Sequence, residues 1–141
     1  AWDVSPEALE VARRNAIRNG VTVHFQQVDA LQESWPSLNI DVLVSNPPYI
    51  TEKERTDMER NVLDWEPELA LFVPDNDPLL FYRHIARIGL DLLSPSGTLY
   101  YEINRAYGAE TISLLQQLGY HSVELRKDLS GNDRMVKAVK P

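Results

Sequence analysis

Hydrophobic positions recur along the chain at helical spacing in some segments and at strand spacing in others. Ser5 and Pro6 are suited to cap and begin a first helix, which Gly20 ends, and Asp77 with Pro78 begins a second. This pattern of alternating elements is typical of an α/β fold with a mostly parallel sheet. The predicted helices are 5–20, 77–93 and 109–119, and the predicted strands are 1–4, 21–28, 40–44, 98–102, 121–125 and 135–139.

The last two predicted strands are joined by a loop, 127–133, which favours an antiparallel hairpin at the edge of the sheet. The apolar run 40–44 is instead typical of a strand buried on both faces. Two prolines, Pro47 and Pro48, then force the chain out of the sheet. The segment that follows, 51–77, is long, charged and poor in periodicity, so we expect a functional loop there.

Three polar residues lie at the ends of predicted strands: Asp3, Asp29 and Asn46. Because ligands of open parallel sheets bind beyond the carboxyl ends of the strands, we expect all three on one rim. Asp3 is suited either to accept hydrogen bonds from both hydroxyls of a ribose or to help cap the helix that starts at Ser5. Asp29 is suited to accept from an exocyclic adenine amine, although position alone favours a plain strand-end carboxylate.

The motif Asn46–Pro47–Pro48–Tyr49 carries the most specific chemistry in the sequence. An amide nitrogen is a poor nucleophile because its lone pair is delocalised into the carbonyl, so it must be held rigidly in line with a methyl group. The side-chain oxygen of Asn46 and the backbone carbonyl of Pro47 can accept its hydrogens, and Tyr49 offers a flat face to a planar amide or base. A simple Pro-Pro turn is the alternative, but the position between a strand and a long loop favours a functional motif.

The composition of the chain excludes several classes of site and disfavours nucleic-acid binding. The chain has 141 residues, which suits one domain, and no cysteine, which excludes disulfides, thiolate catalysis and cysteine-ligated zinc. Its net charge of −7 and lack of basic clusters are poorly suited to the phosphate backbone of nucleic acids. No run approaches the roughly 18 apolar residues that span a membrane, and a cysteine-free chain fits the cytoplasm. The scattered histidines His24, His84 and His121 predict no metal site.

The order of these motifs resembles that of the release factor glutamine methyltransferases, the HemK/PrmC family. The four-residue motif alone is shared by class I methyltransferases that act on exocyclic or amide nitrogens, whereas the whole set in this order is far more specific. The likeness covers nearly the whole chain. It rests on Asp3–Val4–Ser5–Pro6–Glu7–Ala8–Leu9 with Asn15, Val44–Ser45–Asn46–Pro47–Pro48–Tyr49–Ile50, Glu66–Pro67 with Ala70–Leu71, Glu102–Ile103, and Asp128 with Gly131, Asp133 and Arg134.

The resemblance implies a Rossmann-like class I methyltransferase sheet that transfers a methyl group from S-adenosylmethionine. The implied acceptor is the glutamine of the Gly-Gly-Gln motif in peptide-chain release factors, so the implied process is translation termination in the cytoplasm. By resemblance, Asn46, Pro47, Pro48 and Tyr49 bind the glutamine amide, with Asn46, Pro47 and Tyr49 as the catalytic residues. The implied cofactor-binding residues are Asp3, Asp29, Ala30 and Asn46, and Ala30 departs from members that carry an aromatic residue there.

The resemblance also implies an incomplete sheet. The family's first strand and its glycine-rich cofactor loop belong upstream of Asp3, where this sequence has neither. That strand normally lies between the strands that end at Asp3 and Ser45, so two open strand edges are expected, and open edges invite pairing with another chain. We therefore expect 1–141 to be a partial catalytic domain that binds the cofactor weakly or not at all, is inactive alone, and pairs with a second copy.

Two other functions fit parts of the sequence. A nucleic-acid methyltransferase acting on adenine or guanine amines would use the same Asn-Pro-Pro-Tyr chemistry on a flipped or single-stranded base. The acidic charge of the chain argues against it, because such enzymes need a basic groove or an added recognition domain. A binding module that keeps the fold without catalysis is the third interpretation, and restoring the upstream segment discriminates it from a truncated enzyme.

Overall fold

A computed structural model of the chain describes residues 1–32, 34–58 and 60–141. The chain divides into two units, Ala1–Pro36 and Ser37–Pro141. Within the described ranges, no helix combines the length and the apolar character needed to cross a bilayer.

The first unit contains strand β1 (Trp2–Asp3), helix α1 (Pro6–Arg18) and strand β2 (Gln26–Gln27), and β1 pairs in parallel with β2. The predicted helix start is confirmed, because the Ser5 side chain accepts a hydrogen bond from the Ala8 amide at 3.1 Å. Gly20 follows the helix with a φ of 64°, a left-handed conformation that glycine adopts without strain. The strand predicted over 21–28 shortens to two residues, because its partner β1 offers only two residues to pair with.

The second unit is built on a four-stranded sheet in the order β3–β6–β8–β7, with β3 parallel to β6 and the other neighbours antiparallel. The predicted C-terminal antiparallel hairpin is therefore confirmed. A separate parallel pair joins β4 to β5. The elements are β3 (Ile40–Ser45), β4 (Ile50–Thr51), a 3-10 helix (Glu52–Asp57), α2 (Arg60–Trp65), α3 (Glu68–Leu71), β5 (Phe72–Val73), α4 (Leu80–Leu92), β6 (Leu93–Glu102), a second 3-10 helix (Arg105–Tyr107), α5 (Gly108–Gln117), β7 (His121–Lys127) and β8 (Asp133–Val139).

One face of the four-stranded sheet forms the core of this unit. Leu99 and Tyr101 of β6 and Val136 and Ala138 of β8 are buried there, and α4 and α5 pack on the same sheet. The prediction that 40–44 is buried on both faces is wrong, because Val42 and Val44 are 53% and 71% exposed. Strand β3 lies at the edge of the sheet, and its opposite face holds Leu43 against α4, so only that face is covered.

Three tyrosines anchor the helices to the core through their hydroxyl groups. Tyr101 donates to the backbone carbonyl of Tyr82 at 2.8 Å, and Tyr120 donates to that of Ala86 at 2.8 Å. The Tyr82 hydroxyl accepts from the backbone amide of Asn104 at 3.0 Å. Burial raises the pKa of all three tyrosines above the usual value, so each stays protonated in the folded protein.

The segment expected to be a loop, 51–77, contains short regular elements. Ile50 and Thr51 pair with Phe72 and Val73, so the segment leaves the sheet and returns to its own starting point. Elements of four to six residues are too short to show a period, which is why the sequence pattern does not reveal them.

Candidate functional site

The motif Asn46–Pro47–Pro48–Tyr49 follows directly after β3, at the carboxyl end of that strand. Pro47 is buried and Pro48 and Tyr49 are half-buried, whereas Asn46 is exposed. The motif has no regular secondary structure, and the next residue begins β4, so the prolines divert the chain from the four-stranded sheet into the β4–β5 pair. The exposed amide of Asn46 is accordingly presented on a short, stiff stretch of backbone.

Tyr49 is anchored at its backbone amide, its backbone carbonyl and its hydroxyl. Its amide donates to the carbonyl of Leu71 at 3.2 Å, and its carbonyl accepts from the side-chain amide of Asn104 at 3.0 Å. Its hydroxyl donates to a carboxylate oxygen of Glu102 at 2.9 Å. Burial, followed by the hydrogen bond to Glu102, raises the pKa of Tyr49, so the ring is held as a neutral phenol.

Asn104 is a buried amide, 5% exposed, that joins the motif to the segment after it. Its side-chain nitrogen also lies 3.1 Å from both carboxylate oxygens of Glu54, and its side-chain oxygen accepts from the amide of Ala106 at 2.9 Å. Glu54 in turn accepts from the amide of Thr51 at 2.8 Å and from its hydroxyl at 2.6 Å. Partial burial would by itself raise the pKa of Glu54, but the hydrogen bonds from Thr51 and Asn104 lower it below its usual value.

Arg134 supplies a positive charge beside Tyr49 and Glu102. Its guanidinium donates to Asp128 at 3.3 Å, and it lies near enough to Tyr49 and Glu102 to act on them electrostatically. Burial opposes the charge of Arg134, but the hydrogen bond to Asp128 and the nearby acidic groups together outweigh burial and raise the pKa of Arg134. Asp128 also accepts from the backbone amides of Ser130 and Asn132, so it holds the β7–β8 turn together.

The two candidate carboxylates of the first unit lie at the carboxyl ends of the paired strands β1 and β2. Asp3 ends β1, and its carbonyl accepts from Val28, the residue before Asp29. One oxygen of Asp3 accepts from the amide of Ser5 at 2.8 Å, and one oxygen of Asp29 accepts from that of Leu31 at 2.8 Å. Both carboxylates are exposed, and Ala30 is half-buried beside Asp29. Asp3 therefore helps to hold Ser5, the residue that caps α1. The second oxygen of Asp3 makes no hydrogen bond to the described residues.

The structure brings Asp3 and Asp29 to the same end of one strand pair, and it places Asn46 to Tyr49 together in the second unit. Sequence reasoning gave no role to Glu54 or Asn104, although Asn104 follows a predicted strand just as Asn46 does. That rule could have found Asn104. Among the residues that the structure describes, no group of three or more His, Asp or Glu side chains is arranged to hold a metal ion.

Comparison with known proteins identifies relatives over nearly the whole chain. A family model described as the methyltransferase small domain matches residues 1–64. The release factor glutamine methyltransferase of Bacteroides thetaiotaomicron is 51% identical over 139 residues, which cover 98% of this chain and 50% of that protein. The protein of the same name from Flavobacterium psychrophilum is 46% identical over 137 residues, covering 97% and 48%. The chain thus spans about half the length of these curated relatives.

Solved structures confirm the predicted fold class. A methyltransferase from Pyrococcus furiosus superposes with a TM-score of 0.67 at 19% identity, covering 99% of this chain and 61% of that one. At that identity the likeness establishes the α/β methyltransferase fold and leaves the reaction to the site and to the closer relatives.

Proposed function

Because the chain is a homologue of the release factor glutamine methyltransferases and spans about half of their length, we propose that this protein methylates a glutamine side chain. The methyl donor is S-adenosylmethionine, and the acceptor is the amide nitrogen of the glutamine in the Gly-Gly-Gln motif of peptide-chain release factors. Its place of action is the cytoplasm, where release factors work. The observation that carries the proposal is the exposed Asn46 amide, at a strand end, on a backbone anchored through Tyr49.

The residues of the motif act as a clamp for a planar amide. The side-chain oxygen of Asn46 accepts one hydrogen of the glutamine amide, and the backbone carbonyl of Pro47 accepts the other, which fixes the plane and direction of the nitrogen. Pro48 stiffens the next peptide because its ring fixes φ, and Tyr49 packs its ring against the amide. No ionisable base is needed, since the nitrogen becomes acidic only after it has gained the methyl group. The segment 51–77, which starts from this clamp, forms the substrate side of the domain 1–141.

The carboxylates of the first unit fit the cofactor. Asp3 and Asp29 lie at the carboxyl ends of parallel strands, and one oxygen of each has no bond to the residues that the structure describes, which leaves it to accept from ribose hydroxyls or an exocyclic adenine amine. We assign Asp3 to the ribose, Asp29 and Ala30 to the adenine, and Asn46 to contact with both cofactor and substrate. Bound S-adenosylmethionine supplies a methyl group on a positively charged sulfur.

The role of Asp3 can be tested by binding alone. In this chain joined downstream of the segment of the Bacteroides thetaiotaomicron relative that the match leaves uncovered, Asp3→Asn keeps an oxygen that can accept from Ser5 but loses the charge, so we expect cofactor affinity to fall about tenfold with an unchanged unfolding midpoint. Equilibrium dialysis against the wild type measures the first quantity and urea denaturation the second. An affinity equal to that of the wild type would remove Asp3 from the cofactor site.

The reaction is tested on this chain alone and on the chain joined downstream of the segment of the Bacteroides thetaiotaomicron relative that the match leaves uncovered. Each protein is incubated with a release factor and S-adenosylmethionine, and the Gly-Gly-Gln peptide is examined by mass spectrometry. We expect one added methyl group on the glutamine with the joined protein, and a fall of about a hundredfold in its rate with Asn46→Ala. Asn39→Ala is the matched control, because Asn39 is also an exposed asparagine and lies at the opposite end of β3.

The same assay is repeated with DNA and with RNA in place of the release factor, and three outcomes count against the proposal in different ways. Methylation of DNA or RNA instead of the peptide would establish a nucleic-acid amino-methyltransferase. No transfer to any substrate would favour a binding module. Methylation that survives Asn46→Ala would leave the substrate in place and overturn the clamp mechanism.

The edge of the main sheet supports a further part of the proposal, which is pairing between copies of this chain. Strand β3 is the edge strand of its sheet, and Val42 and Val44 expose apolar surface beside that edge. Light scattering at increasing concentration should show dimers of the chain, and Val42→Lys should weaken them because a charge beside an edge strand opposes pairing. A monomer at every concentration contradicts this part of the proposal.

A further inference from the structure

The side-chain amide of Asn104 has every polar group engaged. Its nitrogen carries two hydrogens, which it donates to the Tyr49 carbonyl at 3.0 Å and to the Glu54 carboxylate at 3.1 Å. Its oxygen accepts from Ala106 at 2.9 Å. In the reversed orientation the oxygen would face the carboxylate of Glu54 and the nitrogen would face the Ala106 amide. The surroundings therefore impose one orientation, in which a hydrogen points at Tyr49.

The carbonyl that Asn104 binds lies close along the chain to the carbonyl that the clamp uses. Only Pro48 and Tyr49 separate the Pro47 carbonyl from the Tyr49 carbonyl, and the ring of Pro48 removes one of the few free torsions between them. The Tyr49 amide is also held, by Leu71 at 3.2 Å. A donor that fixes the Tyr49 carbonyl consequently restricts the direction in which the Pro47 carbonyl can point.

Glu54 keeps that donor in place. Thr51, whose exposure is 0%, gives Glu54 its backbone amide at 2.8 Å and its hydroxyl at 2.6 Å, so the carboxylate cannot swing away from Asn104. The hydrogen bonds of Asn104 with Glu54 and with Tyr49 thus form a closed network with the main chain from Tyr49 to Glu54. Asn104, which follows β6, and Glu54, which follows the motif, are therefore linked to each other beside Tyr49.

We propose that Asn104, oriented by Glu54, is a positioning residue that fixes the backbone of the Asn46–Tyr49 motif and thereby aims the acceptor carbonyl of Pro47. The inference rests on the proposed methyl transfer and deepens it. Asn104 touches neither substrate nor cofactor in this role. It acts through the main chain, so its loss should slow the chemical step more than it weakens substrate binding.

An exchange of the two polar groups separates positioning from plain structural support. Asn104→Asp removes both donors and sets a carboxylate against the Tyr49 carbonyl and against Glu54. Combining it with Glu54→Gln restores a hydrogen bond between positions 54 and 104 with donor and acceptor exchanged, and it restores the net charge. The Tyr49 carbonyl still faces an acceptor in the double variant. Only the contact with Tyr49 therefore remains lost.

We expect Asn104→Asp to speed amide hydrogen exchange in a peptide covering 48–52 by about tenfold. In the joined methyltransferase, kcat should fall by about tenfold or more, with KM changed by no more than about twofold. The double variant should recover most of the urea midpoint while exchange and kcat stay at the level of Asn104→Asp. Asn39→Asp, which makes the same charge change at an exposed site, should resemble the wild type in all measurements.

Recovery of kcat together with the midpoint in the double variant would show that Asn104 is only a structural support. Unchanged exchange over 48–52 would show that it does not fix the motif. The double variant decides the question even where Asn104→Asp fails to fold. The exchange measurement is made on this chain without substrate, so it remains decisive where no methyl transfer is observed and the proposed function fails by itself.

Discussion

The side-chain amide of Asn104 donates to the backbone carbonyl of Tyr49 at 3.0 Å, although 55 positions separate the two residues along the chain. Glu102, two residues before Asn104, binds the hydroxyl of the same tyrosine. Glu102, the last residue of β6, thus holds the ring of Tyr49, and Asn104, which follows the strand, holds its backbone. The backbone contact and the ring contact can be removed separately, which makes their contributions measurable.

Tyr49→Phe removes the ring contact alone. The phenyl ring keeps its flat face and the Asn104 contact is unaffected, so we expect a loss of about 1 kcal/mol in the free energy of unfolding and only a small fall in kcat. Urea denaturation and the peptide methylation assay measure the two quantities. A fall in kcat as large as that of Asn46→Ala would instead mean that the hydroxyl takes part in the reaction.

Asp77 and Arg83 form a paired contact whose strength depends on pH. The guanidinium donates to both carboxylate oxygens at 2.8 and 2.9 Å, and this pairing lowers the pKa of Asp77 below its usual 3.8. Because the folded pKa is lowered, the stabilisation is complete above pH 3.8 and is lost as the pH falls through the folded value. Asp77→Asn should therefore cost about 1 kcal/mol at pH 7 and nothing in strong acid.

The measurement for this pair is the urea midpoint of wild type and variant between neutral pH and strong acid. Asp91 lies at an exposed position on α4, the helix that carries Arg83. Asp91→Asn should leave the urea midpoint unchanged across the pH range. A difference between wild type and Asp77→Asn that stays constant down to the lowest pH would contradict the ionic origin of the effect.

Gly89 allows α4 to approach Tyr120. A methyl group at this position would collide with the Tyr120 hydroxyl, which donates to Ala86 at 2.8 Å. We expect Gly89→Ala to lower the free energy of unfolding by about 1–3 kcal/mol, because an overpacked core must shift. Tyr120→Phe removes the oxygen, so the double variant should be more stable than the sum of the single effects predicts. Additive effects in a thermal or urea double-mutant cycle would disprove the collision.

Local rules predict the elements whose signals lie within a few residues. Ser5 with Pro6, and the two strands around 127–133, are of this kind, and the structure agrees with both predictions. The helix predicted over 109–119 is present as α5, but its buried face is formed by Gly108, Thr111 and Leu115, whereas Ala109 is exposed. Gly108 lies against Leu125 of β7 and Asp133 of β8, where an added side chain would be crowded, and this close approach is a tertiary property that the local pattern does not carry.

The candidate site shows the same division. The Asn46–Tyr49 motif is contiguous and can be recognised from the sequence, whereas Glu54 and Asn104 become a pair only through folding. The exposure of Val44 also depends on which strand lies beside β3, and that neighbour is a tertiary property that an apolar run of five residues cannot specify.

The buried tyrosine hydroxyls make the core of the second unit sensitive to alkali. Tyr82, Tyr101 and Tyr120 all have raised pKa values in the folded chain, whereas the unfolded chain ionises them near 10.0. The fold therefore keeps their full contribution below pH 10 and loses it as the pH rises further, because unfolding then releases protons. In strongly basic solution, these phenols therefore ionise together with unfolding of the sheet, and the ultraviolet absorbance of tyrosinate records this transition.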